Sequence, residues 1–416
     1  MRLHPVADGS LPATLPMGTP DAAYHLATHG RPLPVGLLFR YDGPAPALDV
    51  VRARVAERAH RIPALRYRVA SDGKVFRRVD RIEVEQHVRE VRLPEDGPDG
   101  SGAGRLMLTR PMSTAERPPW EVWLVHGAGG GHTLCYRTDH TLQDGVGAAH
   151  TVRALLDDRP EGGPAPHHRS RPTARGLAAA LGDVAASFGP PTAKPAFDLP
   201  GCGRTAVCHV DTPLVRLRGI GRAHGGTVND VYLAALSHAF RTWHLKATGS
   251  PHPPGPLPVA VPMSVRAPGE ECAPGNRMVV ARLLLPCDEP SPLRALARVT
   301  ARTSRMRVSR QRDVLSLLLA ATPRAVGARV GTRMVNGAVV AAPTSSVNFG
   351  PALVHQGAVA RRAALLTGLA AGIRCMTTLT SQHDVACLTI VHDEALATAD
   401  ALPDLWLTAL RELERA

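Results

Sequence analysis

A two-lobed α+β fold is what this 416-residue sequence predicts, and three observations carry the prediction. The length suits two domains or one large two-lobed body. Strand-like and helix-like runs are mixed in both halves, without the regular strand–helix alternation of a doubly wound sheet. A stretch rich in Pro, Gly and Ala separates the halves, with "RPEGGPAPHHRSRPTARG" and "GPPTAKPAFDLPG" flanking a short helical run. The expected division is an N-terminal lobe over 1–160, a linker over 161–203 and a C-terminal lobe over 204–416. No sequence repeat is visible.

The first 30 residues read as irregular, because Gly and Pro are frequent there. "VGLLFRYDG" reads as a strand, and "ALDVVRARVAERAHRI" has the apolar spacing of an amphipathic helix. "YRVASDGKVFRRV" reads as a hairpin turning at Asp72-Gly73. "QHVREVRL" is a further strand, followed by a polar, Gly-rich loop over 95–104. "WEVWLVHG" and "HTLCYRT" are two β-type runs joined by "GAGGG", and "GVGAAHTVRALLDD" is a helix. After the linker come a strand ("RTAVCHVDT"), a helix ("PLVRLRGIGRAHG") and a long helix ("TVNDVYLAALSHAFRTWHL"). "LPVAVPMSV" and "RMVVARLLLP" are strand-like, 290–340 is helical, and "SSVNFG", "LTIVHDE" and a closing helix end the chain.

Composition narrows the class. Apolar residues at 44% and charged residues at 20% describe a globular chain, not a disordered one. The net charge is +13, carried almost entirely by Arg, with only Lys74, Lys194 and Lys246 as lysines. Arg favours bidentate contact with phosphate and carboxylate, so a phosphate-bearing partner fits; codon bias accounts for the composition equally well. Scarce aromatics and dispersed Arg argue against a nucleic-acid binder. The seven cysteines form no CxxC pair, which argues against a zinc ribbon and a disulfide scaffold. They are expected as buried thiols in a reducing compartment. The start lacks a continuous apolar signal region, and the longest apolar runs are too short to span a bilayer. A cytoplasmic protein is expected, with peripheral membrane contact left open.

"CYRTDHTLQDGVGAAH" (135–150) carries the chemistry. An imidazole at the end of a strand is suited to general-base work near neutral pH. Asp144 can accept backbone N–H groups or pair with an Arg, and so fix the loop. Gly145 permits close approach and leaves amides near a helix start, where an oxyanion is stabilised. Taken alone, the stretch reads equally as a capped turn with a surface histidine.

Its context resembles the bacterial wax ester synthase/diacylglycerol acyltransferases. Pro118-Pro119-Trp120-Glu121 is similar to that family's Pro-Leu-Trp-Glu segment, and Asp139-His140 with Asp144-Gly145 to its HHxxxDG loop. "GTVNDVYLAALSHAFRTW" looks like its Asn-Asp helix (Asn229, Asp230). "VPMSVR" and "GNRMVVARLLLP" look like its Pro-x-Ser-x-Arg and Gly-Asn segments (Ser264, Arg266, Gly275, Asn276). "TSSVNFGP" is similar to its Ser-Asn-Val-Pro-Gly-Pro loop. The resemblance covers nearly the whole chain. It implies membership of the coenzyme A-dependent acyltransferases, which include chloramphenicol acetyltransferase and the condensation domains of nonribosomal peptide synthetases. It also implies a chloramphenicol acetyltransferase-like fold, with two lobes meeting at a tunnel and the histidine at its centre.

The family's second histidine, its base, corresponds to His140, while its first is Asp139 here. A carboxylate facing inward there would raise the pKa of His140; one facing along the strand would not. The resemblance implies acyl transfer from an acyl-CoA or phosphopantetheine-linked thioester to a hydroxyl of a small-molecule acceptor, with an acyl carrier protein as the alternative donor and no tightly bound cofactor. The departures suggest a divergent branch, such as a tailoring enzyme of specialised metabolism. Amide formation by a condensation-type enzyme and a non-catalytic acyl-binding scaffold are the rival readings. The expected site places His140, Asp144 and Gly145 at the chemistry and Asp139, Asn229, Asn348 and Arg266 around the substrate, with no metal. Asn229 serves equally as a helix-start residue and Asn348 as a turn residue, and Trp120 reads as core. "ARTSRMRVSRQR" (Arg302, Arg305, Arg307, Arg310, Arg312) reads first as a solvated helix face and second as a dock for phosphates.

Overall fold

The computed structural model describes residues 11–93, 100–113, 116–127, 130–171, 173–187, 194, 196–334 and 336–416. Residues 1–10 lie outside this set, as do parts of the expected 95–104 loop, of "GAGGG" and of "GPPTAKPAFDLPG". The first half contributes β1 (Thr14–Pro16), α1 (Thr19–Ala27), β2 (Pro34–Tyr41), α2 (Leu48–Ala59), β3 (Tyr67–Val69), β4 (Val75–Arg78), α3 (Val84–His87), β5 (Val88–Arg92), α4 (Ser101–Thr109), β6 (Trp120–His126), β7 (His132–Asp139), α5 (Gly145–Leu156) and α6 (Ala174–Ser187). The second contributes β8 (Thr205–Pro213), α7 (Leu214–Ala223), α8 (Val228–Thr248), β9 (Leu257–Ser264), β10 (Met278–Leu285), α9 (Pro292–Val308), α10 (Gln311–Ala321), α11 (Arg324–Met334), β11 (Thr344–Gly350), β12 (Val354–His355), β13 (Ala358–Val359), β14 (Arg362–Thr367), β15 (Cys375–Gln382), β16 (Val385–Asp393) and α12 (Leu402–Arg415).

Two sheets organise the molecule. The larger has the order β14-β2-β7-β6-β5, and the other β11-β15-β16-β8. β2 and β6 read as almost unbroken apolar runs, and every residue of β7 is buried, polar ones included, because the larger sheet is covered on both faces. On one face Leu37, Phe39, Val122, Leu134 and Tyr136 pack with α2 and α5. On the other, Leu38, Trp123 and Cys135 meet Ala103 and Met107 of α4 and Val207 of β8. The second sheet packs against α8 and α12. In α12, Leu402, Trp406, Ala409, Leu410 and Leu413 recur at helical spacing and are all buried.

β14 stitches the sheets together. Although it belongs to the second half of the chain, it pairs antiparallel with β2, with Leu365 opposite Leu37. Its Leu365 N–H donates to Thr380 Oγ1 (2.9 Å), and Thr378 Oγ1 donates to the Leu365 carbonyl (2.6 Å), which ties it to β15.

Several expectations need correction. The supposedly irregular start contains α1, opened by Pro20 and by Asp21 Oδ2 accepting the Gly18 N–H at 2.7 Å. Its Gly and Pro residues bound a helix and do not mark a loop. Ser101 opens α4 inside the expected 95–104 loop, and Gly104 there is a packing position, where a Cβ would stand 3.0 Å from Val207. β14 and β15 fall in stretches where no strand is expected. No disulfide joins the seven cysteines, but they are not all buried: Cys202 is exposed, and Cys208 and Cys272 are half-buried. Among the described residues no helix is long and apolar enough to cross a membrane.

Candidate active site

The loop between β7 and α5 is held at both ends. The Asp139 carbonyl accepts the N–H groups of Leu142 (2.8 Å) and Gln143 (3.2 Å), and the His140 N–H donates to the Leu33 carbonyl (2.8 Å). Gln143 is fully buried; its Oε1 accepts from Tyr136 Oη (2.6 Å), and its Nε2 donates to Thr151 Oγ1 (2.7 Å). The turn therefore presents His140 in one orientation.

His140 is buried and lies flat against Tyr24, with ring centroids 3.9 Å apart and planes 19° apart. Its Nδ1 stands 3.1 Å from Asn276 Oδ1. The Asn276 amide is oriented by its other end. Nδ2 faces three acceptors: Asp21 Oδ1 (2.8 Å), the His140 carbonyl (2.8 Å) and the Thr141 carbonyl (3.2 Å). Oδ1 must then be the atom facing the imidazole, so Nδ1 carries the proton and Nε2 keeps its lone pair. Burial holds the imidazole below the usual histidine value, and Asp144 and Asn276 oppose that shift. A neutral imidazole with a free Nε2 is the form a general base needs.

Gly275 makes the Asn276 position reachable. Its φ is 89°, and a Cβ there would stand 3.0 Å from Arg277 Nη1 and 3.1 Å from Asp21 Oδ2. Its N–H donates to the Leu142 carbonyl (2.6 Å), which brings the two loops together. Asp21 accepts the backbone N–H of Asn276 (2.6 Å), and burial lifts its carboxyl to about 6.

Asp144 caps α5. Its Oδ1 accepts the Gly147 N–H (2.7 Å), while its Oδ2 accepts from Arg266 Nη2 (3.0 Å) and the Arg277 N–H (2.7 Å). Burial pushes its carboxyl up, but Arg266 and the two amides outweigh that and hold it below the usual range. A Cβ on Gly147 would stand 2.7 Å from Arg266 Nη2, so glycine is what lets the guanidinium approach.

A cavity of about 120 Å³ opens at His140, Asp144 and Gly145 and is closed by residues of β9, β10, β11, β14 and β15. Pro262, Ser264, Thr344, Ser345 and Ser346 are shared with a larger cavity of about 630 Å³. That cavity also holds Asn229, Arg307, Arg310 and Arg312. Tyr24, Met278 and Val280 are shared with an apolar cavity of about 250 Å³ between α1, α10 and α11. His140 therefore sits between a cationic compartment and an apolar one.

The structure sorts the expected residues. His140, Asp144 and Gly145 come together at the small cavity. Asn229 lies in the larger one, while its neighbour Asp230 forms a capping box with Thr227. Arg266 does not line the cavity: it braces Asp144 and donates to the carbonyls of Glu270, Ala273 and Gly275. Asp139 also points away, its Oδ1 accepting the N–H groups of Leu33 (3.2 Å) and Thr141 (3.1 Å). Burial lifts its carboxyl to about 6. Asn348 is exposed and bonds Gly350 and Ser381; its strand neighbours Thr344 to Val347 line the cavity instead. Trp120 is core, donating to the Leu65 carbonyl (3.0 Å). Tyr24, Asp21 and Asn276 were missed as site residues. Only Asn276 carries a signal: it belongs to the Gly-Asn segment of the resemblance and follows the Pro274-Gly275 turn just before a strand.

Residues 17–207 match the family described as the wax ester synthase/diacylglycerol acyltransferase catalytic domain. A Mycobacterium tuberculosis protein assigned as a diacylglycerol O-acyltransferase is 27% identical over 290 residues, covering 59% of this chain and 61% of that relative. The chain thus spans less than two thirds of that relative's length. A wax ester synthase/diacylglycerol acyltransferase from Marinobacter aquaeolei superposes with a TM-score of 0.65 at 22% identity, over 96% of this chain and 99% of the other. The starter condensation domain of rhizomide synthetase, solved with C8-CoA and Leu-SNAC, superposes with a TM-score of 0.64 at 14% identity, over 97% and 94%. These two likenesses establish the two-lobed chloramphenicol acetyltransferase-like fold.

Proposed function

We propose that this chain, whose residues 17–207 match the wax ester synthase/diacylglycerol acyltransferase catalytic domain, is a divergent O-acyltransferase of that kind in which His140 is the general base. Nε2 takes the proton of an acceptor hydroxyl, and the oxygen attacks the carbonyl carbon of an acyl thioester. The tetrahedral intermediate collapses, the C–S bond breaks, and Nε2 returns the proton to the departing sulfur. Both substrates are held in line, with no acyl-enzyme. We assign the oxyanion to the amides at the start of α5, beside Gly145. Asp144, Arg266, Asn276 and Asp21 position the loop and the imidazole.

The observation that carries this reading is the tautomer: Asn276 takes Nδ1–H and leaves Nε2 free. The flanking cavities support a thioester with a phosphate-bearing carrier and an apolar chain. Arg307, Arg310 and Arg312 suit the phosphates of coenzyme A or of a phosphopantetheine arm. The apolar cavity suits the chain, and Leu177 and Leu181 are exposed on α6, with Leu181 at that cavity, which favours lipid-side entry at a membrane surface. Asp139 stands where the family has its first histidine and acts as a backbone brace.

The test is a product screen by mass with short and long acyl-CoA against alcohols and amines. Ester is the expected product, and His140→Ala should lower kcat/KM by ~10²–10⁴-fold while the melting curve stays cooperative. A fully active, normally folded His140→Ala sinks the proposal. Amide as the only product selects the condensation-type reading, and acyl binding without turnover selects the scaffold.

A further inference from the structure

A second cluster of reactive side chains lies outside the His140 cavity. Cys208 of β8 pairs in register with Ile390 of β16, so His392, two residues further on, faces the same side of the sheet. Asp400 reaches the same point from the turn before α12. That turn is set by Thr398, a β-branched residue at φ 58°. The three ligand atoms converge: Cys208 Sγ to Asp400 Oδ1 is 3.1 Å, His392 Nε2 to Asp400 Oδ1 is 3.0 Å, and Cys208 Sγ to His392 Nε2 is 3.9 Å.

This geometry is not that of a nucleophile relay. A relay needs the thiol on one imidazole nitrogen and the carboxylate on the other. Here both face Nε2, while Nδ1 stands 3.1 Å from the Asp393 carbonyl. Nδ1–H donates to that carbonyl, so in the neutral ring Nε2 is an acceptor facing a carboxylate oxygen. Two acceptors at this distance need a cation between them. A proton is one choice. The third atom, sulfur, makes a metal the better fit: the three separations, 3.0, 3.1 and 3.9 Å, bracket the roughly 3.3–3.6 Å edges that tetrahedral zinc bonds to S, N and O imply. The backbone carbonyl that fixes the histidine tautomer is also the usual second partner of a metal-bound imidazole.

We propose that Cys208, His392 and Asp400 bind one divalent cation of the zinc class. His392 is buried and Cys208 half-buried, while Asp400 opens onto a polar cavity of about 520 Å³, which leaves a fourth position for water. On binding, the Cys208 thiol loses its proton to solvent and the thiolate, imidazole and carboxylate each donate one lone pair. The ion would join β8 and β16 to the start of α12. None of the three residues lines the His140 cavity, so the site is independent of acyl transfer.

The test uses the full chain, freed of metal with a chelator and titrated with Co(II). One equivalent should bind with a thiolate-to-cobalt charge-transfer band, and Zn(II) should displace it. Cys208→Ser should remove the band, and Cys208→Ser and His392→Gln should each weaken binding by at least about tenfold. Asp400→Asn, at an exposed position, should weaken it too and serves if His392→Gln does not fold. Cys202→Ser, at the exposed cysteine, should change nothing. No band in the unmodified protein overturns the proposal. So does a band that survives Cys208→Ser, or one that disappears in Cys202→Ser.

Discussion

Asn276 decides which nitrogen of His140 is available, and that choice has a pH signature. Burial keeps the imidazole below its ordinary value. If His140 is the base as proposed, protonation of Nε2 removes it, so kcat/KM should be level through neutral pH and fall only on the acid side, with a limb below about 6.5. A limb above that value would contradict the burial argument. Asn276→Ala frees Nδ1 from its acceptor, allows the other tautomer and should remove a large part of the ~10²–10⁴ that a positioned base contributes. Asp139 gives a separate stability test. Its folded pKa, about 6, lies above the ordinary carboxylate value, so its contribution to stability is complete at low pH and is lost as pH rises through about 6. In Asp139→Asn the Oδ1 can still accept the two N–H groups, and the charge is gone. The melting-temperature difference, variant minus parent, should therefore become more positive between pH 5 and 8, and a flat difference would refute this. His140 was legible in the sequence because its loop is contiguous. The partners Tyr24 and Asp21 were not, because they come from a helix that 112 or more residues of chain separate from the loop, and only folding joins them.

The start of α5 depends on one carboxylate with three donors. Asp144 is buried, caps the helix, pairs with Arg266 and fixes the Arg277 amide. Asp144→Ala would leave the Arg266 guanidinium buried beside Gly147 without its anion. Breaking a buried pair in this way costs ~3–5 kcal/mol, to be read from urea unfolding. Asp49→Ala on α2, where the carboxylate is exposed, should cost less than ~0.5 kcal/mol. Equal losses at the two sites would sink the argument. The pairing was anticipated in type, an Asp with an Arg, because a buried N-cap carboxylate needs a cation. β14 was not anticipated. "RAALLT" is six residues with no alternation, and a short apolar run does not separate strand from helix. The strand is defined by β2 on one side and Thr378 and Thr380 on the other, and neither is local in sequence.

Over the whole molecule, the positive charge bears on the proposed reaction where it lines the cavity adjoining His140. Most of the Arg-rich segment 302–312 sits on a solvent-facing surface, as a solvated helix face should: Arg305, Arg307 and Arg310 are exposed. Yet Arg307 and Arg310 also line the cavity that leads to His140. Each has a local anchor, Arg307 to Asp230 (3.5 Å) and Arg310 to the Arg171 carbonyl (2.9 Å), so both are held at the cavity wall. The two roles separate by substrate. A full acyl-CoA carries phosphates, whereas an acyl N-acetylcysteamine thioester carries the same reacting group without them. If the arginines grip phosphate, Arg307→Ala with Arg310→Ala should raise KM for acyl-CoA by about tenfold or more, the loss expected for charge-assisted hydrogen bonds. It should leave kcat and the truncated thioester unchanged. The effect should shrink as salt is raised, because contacts at an open cavity mouth are screened. Equal losses on both thioesters would mean that the arginines support the fold, and no loss on either would return them to the solvated surface.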